Sequence, residues 1–206
     1  MKYCLFGGSF DPPHEGHRHL ARTALETFRL DCMIWVPAAS PPLKDVPRTP
    51  FAHRLAMARL LAAGLPGGHQ VSDVEARLPT PSYSLQTIRA LKAELGEDHA
   101  WHFLIGSDNW ALFPKWHRWQ DVLREVTLIV YPRQGHPLGQ LPEGVLALDL
   151  PEIPWQSSAI RKTLAETRDF NAAGVPVELR GYISAHGLYG MGPLSAQSGV
   201  SPGVGE

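Results

Sequence analysis

The chain has 206 residues and a formal net charge of −1. That length suits one large domain, or a core domain with a small appendage, and can bury a real hydrophobic core, while the balanced charge argues against a general nucleic-acid or membrane-surface protein. Its two cysteines, Cys4 and Cys32, each sit in an apolar run, form no C-x-x-C pair and read as buried reduced thiols rather than a disulfide framework or a zinc site.

The N-terminal MKYCLF is too short an apolar run for a signal peptide, since Gly7, Gly8 and Asp11 end it. No stretch approaches the apolar length that spans a membrane, so a soluble, cytoplasmic protein is expected. KYCLF (2–6) predicts the first strand. Residues 16–28 predict a helix, with Leu20, Ala21, Ala24, Leu25 and Phe28 at helical spacing. CMIWV (32–36) predicts the second strand, stopped by Pro37, and a proline-rich loop runs on to Thr49. Thr49-Pro50 predicts an N-cap and a first helical proline for a helix from Phe51 to near Gly64. HQVSDVE (69–75) holds a weak third strand, and SLQTIRALKAEL (84–95) places Leu85, Ile88, Leu91 and Leu95 on one helical face. WHFLI (101–105), ending at Gly106, and VTLIVY (126–131), ending at Pro132, predict strands, and VLALDL (145–150) is a further candidate. SSAIRKTLAE (157–166) predicts a helix capped by Ser157 or Ser158, and a last helix spans about Val177 to His186.

Strands alternating with helices predict an α/β fold, a Rossmann-like doubly wound parallel sheet with a small C-terminal helical part over about 157–189. A strand order of 3-2-1-4-5 sets Gly106 beside Gly7 across the crevice where such sheets bind ligands. Residues 1–189 are expected to form a single domain. The small, polar, aperiodic stretch from Gly190 to Glu206 is expected to be a disordered tail.

The loop after the first strand, GGSFDPPHEGH (7–17), carries the chemistry. It leads from a strand into a helix N-terminus, where free backbone N–H groups and the helix dipole attract anions. Gly7 and Gly8 let backbone approach a ligand closely, and Asp11-Pro12-Pro13 fixes the turn. Three readings compete: a phosphate cradle with His14 and His17 as donors, a metal site using His14, His17 and His19, or histidines that only cap the helix. No G-x-x-x-x-G-K-[ST], G-x-G-x-x-G or H-E-x-x-H pattern occurs here. His17 and His19 point about 200° apart at 3.6 residues per turn, which favours phosphate over metal.

The long form of this motif resembles the G-G-[ST]-F-D-P-x-H-x-G-H signature of nucleotidylyltransferases, in particular bacterial nicotinate-mononucleotide adenylyltransferases. PAASPPLK (37–44), RLAMARLL (54–61), SYSLQT (82–87), LIGSDNWALFPKWHRW (104–119), SSAIR (157–161) and YISAHGLY (182–189) resemble that family's further blocks, in its order. The resemblance reaches nearly the whole chain up to Tyr189. It implies the nucleotidylyltransferase type of the fold and transfer of AMP from ATP to nicotinate mononucleotide, giving deamido-NAD and pyrophosphate. It further implies that His17 contacts the α-phosphate in the transition state and that His14 helps hold the ATP phosphates. Arg161 with Ser157 and Ser158 holds the β/γ end, and Lys44 assists at the phosphates and the acceptor. Gly7, Gly8, Ser9, Phe10 and Gly106 line the ATP side, with Asp108 contacting the ribose. Asp108 reads equally well as a helix cap. Trp116, near Trp110 and Trp119, is the candidate platform for the pyridine ring, although a tryptophan often serves the core. Backbone amides near Tyr83-Ser84 and His117 face the acceptor carboxylate. Magnesium enters with ATP, bound mainly by phosphate oxygens and water, with no protein metal site. Oligomer formation is left open. Two positions depart from the pattern, Leu43 where the family has histidine and Gln86 where it has aspartate, and both touch the acceptor side. The alternatives are a nicotinamide mononucleotide or dual-acceptor enzyme, a catalytically silent nucleotide-binding regulator, and, more remotely, a zinc-binding protein.

Overall fold

A computed structural model describes residues 1–41, 47–151 and 153–192. Six parallel strands form one sheet in the order β3-β2-β1-β4-β5-β6: β1 Lys2–Gly8, β2 Cys32–Pro37, β3 His69–Val71, β4 Ala100–Gly106, β5 Thr127–Tyr131 and β6 Leu146–Ala147. Each apolar run that predicts a strand becomes one because both sheet faces are covered, so neither phase of its alternation needs to be polar. Cys4 and Phe6 of β1 enter one core with Leu20, Ala21, Ala24 and Leu25 of helix α1 (Glu15–Phe28). The same core takes Met57 and Leu61 of α2 (Phe51–Ala63), and residues of α6 (Ser157–Thr167) and α7 (Val177–Ala185). Tyr3 and Leu5 point the other way, onto Leu85, Ile88 and Leu91 of α3 (Ser84–Leu95) and Val122 of α5 (Trp119–Glu125). Each such buried leucine or isoleucine contributes about 1.5–3 kcal/mol of apolar burial.

The structure corrects several sequence expectations. HQVSDVE pairs only over His69–Val71 and then turns into a 3-10 segment, Val74–Arg77. VLALDL contributes two residues to the sheet rather than six. α2 is capped by Pro50, not Thr49, since the N–H groups of His53 and Arg54 donate to the Pro50 carbonyl. α4 (Ser107–Leu112) begins at Ser107 with Gly106 as its N-cap, so Asp108 lies inside the helix rather than capping it, and α5 was not foreseen as a helix. Beyond Gly190, Met191 is buried in the core and the Gly192 carbonyl accepts the Ser184 hydroxyl at 3.1 Å. Residues 193–206 lie outside the described residues.

Strand order reverses between β1 and β4, whose neighbours lie on opposite sides. Phe6 pairs with Leu104, so the glycines that end the two strands, Gly7, Gly8 and Gly106, flank one crevice. That is the switch point where open α/β sheets bind ligands.

Candidate active site

The loop Ser9–His14 runs from β1 to α1. Phe10 adopts φ 49° and drives its ring into the core, edge-on to Phe6 at 5.5 Å and to His17 at 4.9 Å. Phe10 thus supports the site from beneath instead of facing a ligand freely. His14 is the N-cap of α1 in extended conformation, and its backbone N–H donates to His17 Nδ1 at 3.1 Å. The two imidazole rings lie 3.8 Å apart.

That hydrogen bond selects a tautomer. Nδ1 of His17 accepts, so in the neutral ring the proton sits on Nε2 and makes it a donor. Burial holds the ring neutral, pushing the His17 imidazole well below its ordinary value, with the His14 and Arg133 charges adding to the effect. Burial, aided by Arg133, likewise pulls His14 down to about 3. His14 Nδ1 is buried and has no hydrogen-bond partner among the described residues. The start of α1 thus offers free amides and neutral imidazole donors, a set suited to phosphate oxygens.

Four side chains fasten this loop from outside it. Arg54 of α2, 2 % exposed, donates through Nε to the Thr49 carbonyl at 3.0 Å and through a terminal nitrogen to the Ser9 carbonyl at 2.8 Å. Arg161 of α6 donates to the Asp11 carbonyl at 2.6 Å, with its guanidinium 4.0 Å from the Asp11 carboxylate. Ser157 donates its hydroxyl to the Pro12 carbonyl at 2.9 Å, so it fastens the loop and Gln156 is the N-cap of α6. Ser158 stands exposed in the first turn. Tyr189 donates to Asp11 Oδ1 at 2.8 Å.

A cavity of about 520 Å³ opens at the carboxyl ends of β1 and β4. Gly7, Gly8, Ser9 and Gly106 border one side, and Tyr83, Ser84, Trp116 and His117 border the other. Trp116 packs 5.2 Å from Phe113 and 6.1 Å from Phe103 and also borders the cavity. Tyr83 and His117 lie ring to ring at 4.5 Å. A smaller hollow of about 170 Å³ is bounded by Asp108, Arg133 and Gln156 among others. Asp108 falls in the first turn of α4, whose N-cap is Gly106, and lies 3.9 Å from Arg133. A side chain on Gly106 would run into Asp108 Oδ1 and come within 2.7 Å of Arg133 Cγ, so any larger residue there must displace these two side chains. Lys44 and Leu43 lie outside the described residues. Gln86 turns back to accept the Tyr83 N–H at 3.4 Å, so this departure from the family pattern caps α3 and does not border the cavity.

The cytidylyltransferase-like family model matches residues 5–163. A protein of Solibacter usitatus (strain Ellin6076) named "Probable nicotinate-nucleotide adenylyltransferase" is 40% identical over 192 residues, covering 92% of this chain and 100% of that one. The chain belongs to the nicotinate-nucleotide adenylyltransferases of the cytidylyltransferase-like family. A second adenylyltransferase of that printed name, from Gloeobacter violaceus (strain ATCC 29082 / PCC 7421), is 36% identical, over 90% of this chain and 94% of its own. In fold the chain is similar to Plasmodium falciparum nicotinic acid mononucleotide adenylyltransferase complexed with NaAD. That likeness has a TM-score of 0.71 at 21% identity and covers 91% of this chain and 97% of that one.

For this adenylyltransferase, residue-by-residue reading of the sequence missed Asp11, Arg54 and Tyr189 as site residues. Arg54 opens the RLAMARLL block and Tyr189 closes YISAHGLY, so both motifs were visible. Their targets, Ser9 and Asp11, lie 45 and 178 positions away and only folding connects them.

Proposed function

We propose that the protein transfers AMP from ATP to nicotinate mononucleotide, giving deamido-NAD and pyrophosphate. The observation that carries this is a neutral imidazole pair at a helix N-terminus on the same loop as Gly7, Gly8 and Ser9, which line a wide cavity that Tyr83, Trp116 and His117 also border. One end suits a triphosphate and the other a flat ring with a carboxylate. An oxygen of the acceptor phosphate attacks the α-phosphorus of ATP. The new P–O bond forms as the bond to the β-phosphate oxygen breaks, and its electron pair leaves with pyrophosphate. No covalent enzyme intermediate is required, so the residues align two anions and stabilise developing charge. His17 Nε2–H donates to the α-phosphate, His14 and Arg161 with the Ser157–Ser158 turn steady the other phosphates, and Lys44 assists. Asp108 serves the ribose, and Trp116 stacks on the pyridine ring between the amides of Tyr83-Ser84 and His117.

We assign magnesium to the nucleotide. In this assignment phosphate oxygens and water supply its ligands. No helix among the described residues is long and apolar enough to cross a membrane. Two buried free thiols suit the cytoplasm, where we place the protein.

The test supplies ATP and magnesium with nicotinate or nicotinamide mononucleotide and measures pyrophosphate and dinucleotide. The acid is expected to be the better acceptor. His17→Ala is expected to lower kcat by about 10²–10³-fold, the scale of one lost transition-state donor, with the fold retained by circular dichroism. Turnover with neither acceptor, or near-normal kcat in the variant, refutes the reading.

A further inference from the structure

Glu75 lies in the 3-10 segment after β3 and lines the large cavity, yet the sequence motifs leave it without a role. Its carboxylate is unusually well occupied. Oε2 accepts the Ala39 N–H at 2.9 Å and the Ser82 hydroxyl at 2.7 Å, and Oε1 accepts the Thr87 hydroxyl at 3.1 Å. Ser82 and Thr87 are both 4 % exposed, so these donors are held away from water. Ala39 belongs to the segment leaving β2, Ser82 to the turn before α3, and Thr87 to the first turn of α3. One carboxylate therefore ties the segment leaving β2 to the start of α3.

The joint is reinforced by backbone. Ser82 N donates to the Ser40 carbonyl at 3.2 Å, so the two segments run side by side next to the carboxylate. Tyr83 and Ser84 follow directly on Ser82, and both border the cavity. A shift of Ser82 moves their amides with it. The charge matters as well. A carboxylate beside a site for an anionic substrate repels it unless its oxygens are occupied, and charge-assisted bonds from three donors achieve that while fixing the donors in place.

We infer that Glu75 is a positioning residue for the acceptor end of the cavity. It holds the Tyr83-Ser84 amides where they meet the acceptor carboxylate, and so sets the preference for the acid over the amide mononucleotide. This rests on the proposed adenylyl transfer. Glu75 makes no hydrogen bond to the loop Ser9–His14 or to its four fasteners and reaches Arg54 only through its charge, which favours the protonated guanidinium, so the smaller effect is expected on the ATP side.

The test compares wild-type protein with Glu75→Gln in steady-state kinetics, varying ATP, nicotinate mononucleotide and nicotinamide mononucleotide separately. Glutamine keeps the size but offers one accepting oxygen, so at least one of the three donors loses its partner. The KM for nicotinate mononucleotide is expected to rise about tenfold, the scale of one charge-assisted bond lost, with KM for ATP within about twofold and kcat within about threefold. The ratio of acid to amide turnover is expected to fall by a similar factor. Should Glu75→Gln fail to fold, Ser82→Ala removes the strongest of the three bonds and is expected to move the same ratio in the same direction. Equal rises in both KM values, or an unchanged acid-to-amide ratio in both variants, overturn the inference. A wild-type enzyme inactive with either mononucleotide overturns the underlying reading and this inference with it.

Discussion

His14 shows how a residue of the candidate site can carry a cost in stability. Its imidazole is pulled down to about 3 in the folded protein by burial and the nearby Arg133 charge, against an ordinary value of about 6.5 in the unfolded chain. Between those values the unfolded state binds the extra proton. Stability is therefore full above about pH 6.5 and falls as pH drops toward 3. For His14 alone the loss between pH 7.5 and 5.5 is about 1 kcal/mol. Urea unfolding at these two pH values is expected to show that difference, and His14→Ala is expected to reduce it. His17, His69 and His102 are lowered in the same direction by burial, so the variant keeps part of the slope. An unchanged slope in His14→Ala would count against a buried neutral imidazole.

At the scale of elements, α2 reaches the loop Ser9–His14 through Arg54. Arg54 is almost fully buried, its guanidinium lies 5.5 Å from the Phe51 ring, and burial lowers its affinity for its proton while the Asp11 charge opposes that effect. Arg54→Met leaves the Thr49 and Ser9 carbonyls without these donors. The expected cost is about 2–4 kcal/mol, read as a Tm lower by roughly 5–15 °C, together with a higher KM for ATP. A variant with wild-type Tm and KM would exclude Arg54 as a loop fastener. The elements themselves were mostly legible. KYCLF, CMIWV and WHFLI are short apolar runs bounded by glycine, proline or polar residues, and the sheet buries them on both faces. WQDVLRE was not legible as helix α5, because its seven residues bury only Val122 and carry no periodic stripe. Ser157 was legible as polar but not in role: its hydroxyl has a tertiary acceptor, Pro12, that outcompetes local capping.

At the scale of the whole molecule, the site is closed by contacts between distant parts of the chain. The imidazole pair was legible because His14 and His17 are neighbours on a helix start. Arg54, Glu75 and Tyr189 were not, because each acts on a segment that the topology alone brings near. Tyr189 is the extreme case. Burial raises its phenol, so it stays a donor to Asp11 throughout the working range. Tyr189→Phe is expected to cost about 1–2 kcal/mol in denaturant unfolding and to raise KM for ATP several-fold, leaving KM for the mononucleotide nearly unchanged. Equal effects on both substrates would place Tyr189 outside the ATP side.

The fastening of Ser9–His14 also sets an order of events during synthesis. Its partners at positions 54, 157, 161 and 189 all follow it in the sequence, the last by 178 residues from Asp11. Loop-closure entropy opposes such pairings until the intervening elements have packed. A nascent chain can assemble β1, α1 and β2 early, but its phosphate loop waits for the final helices.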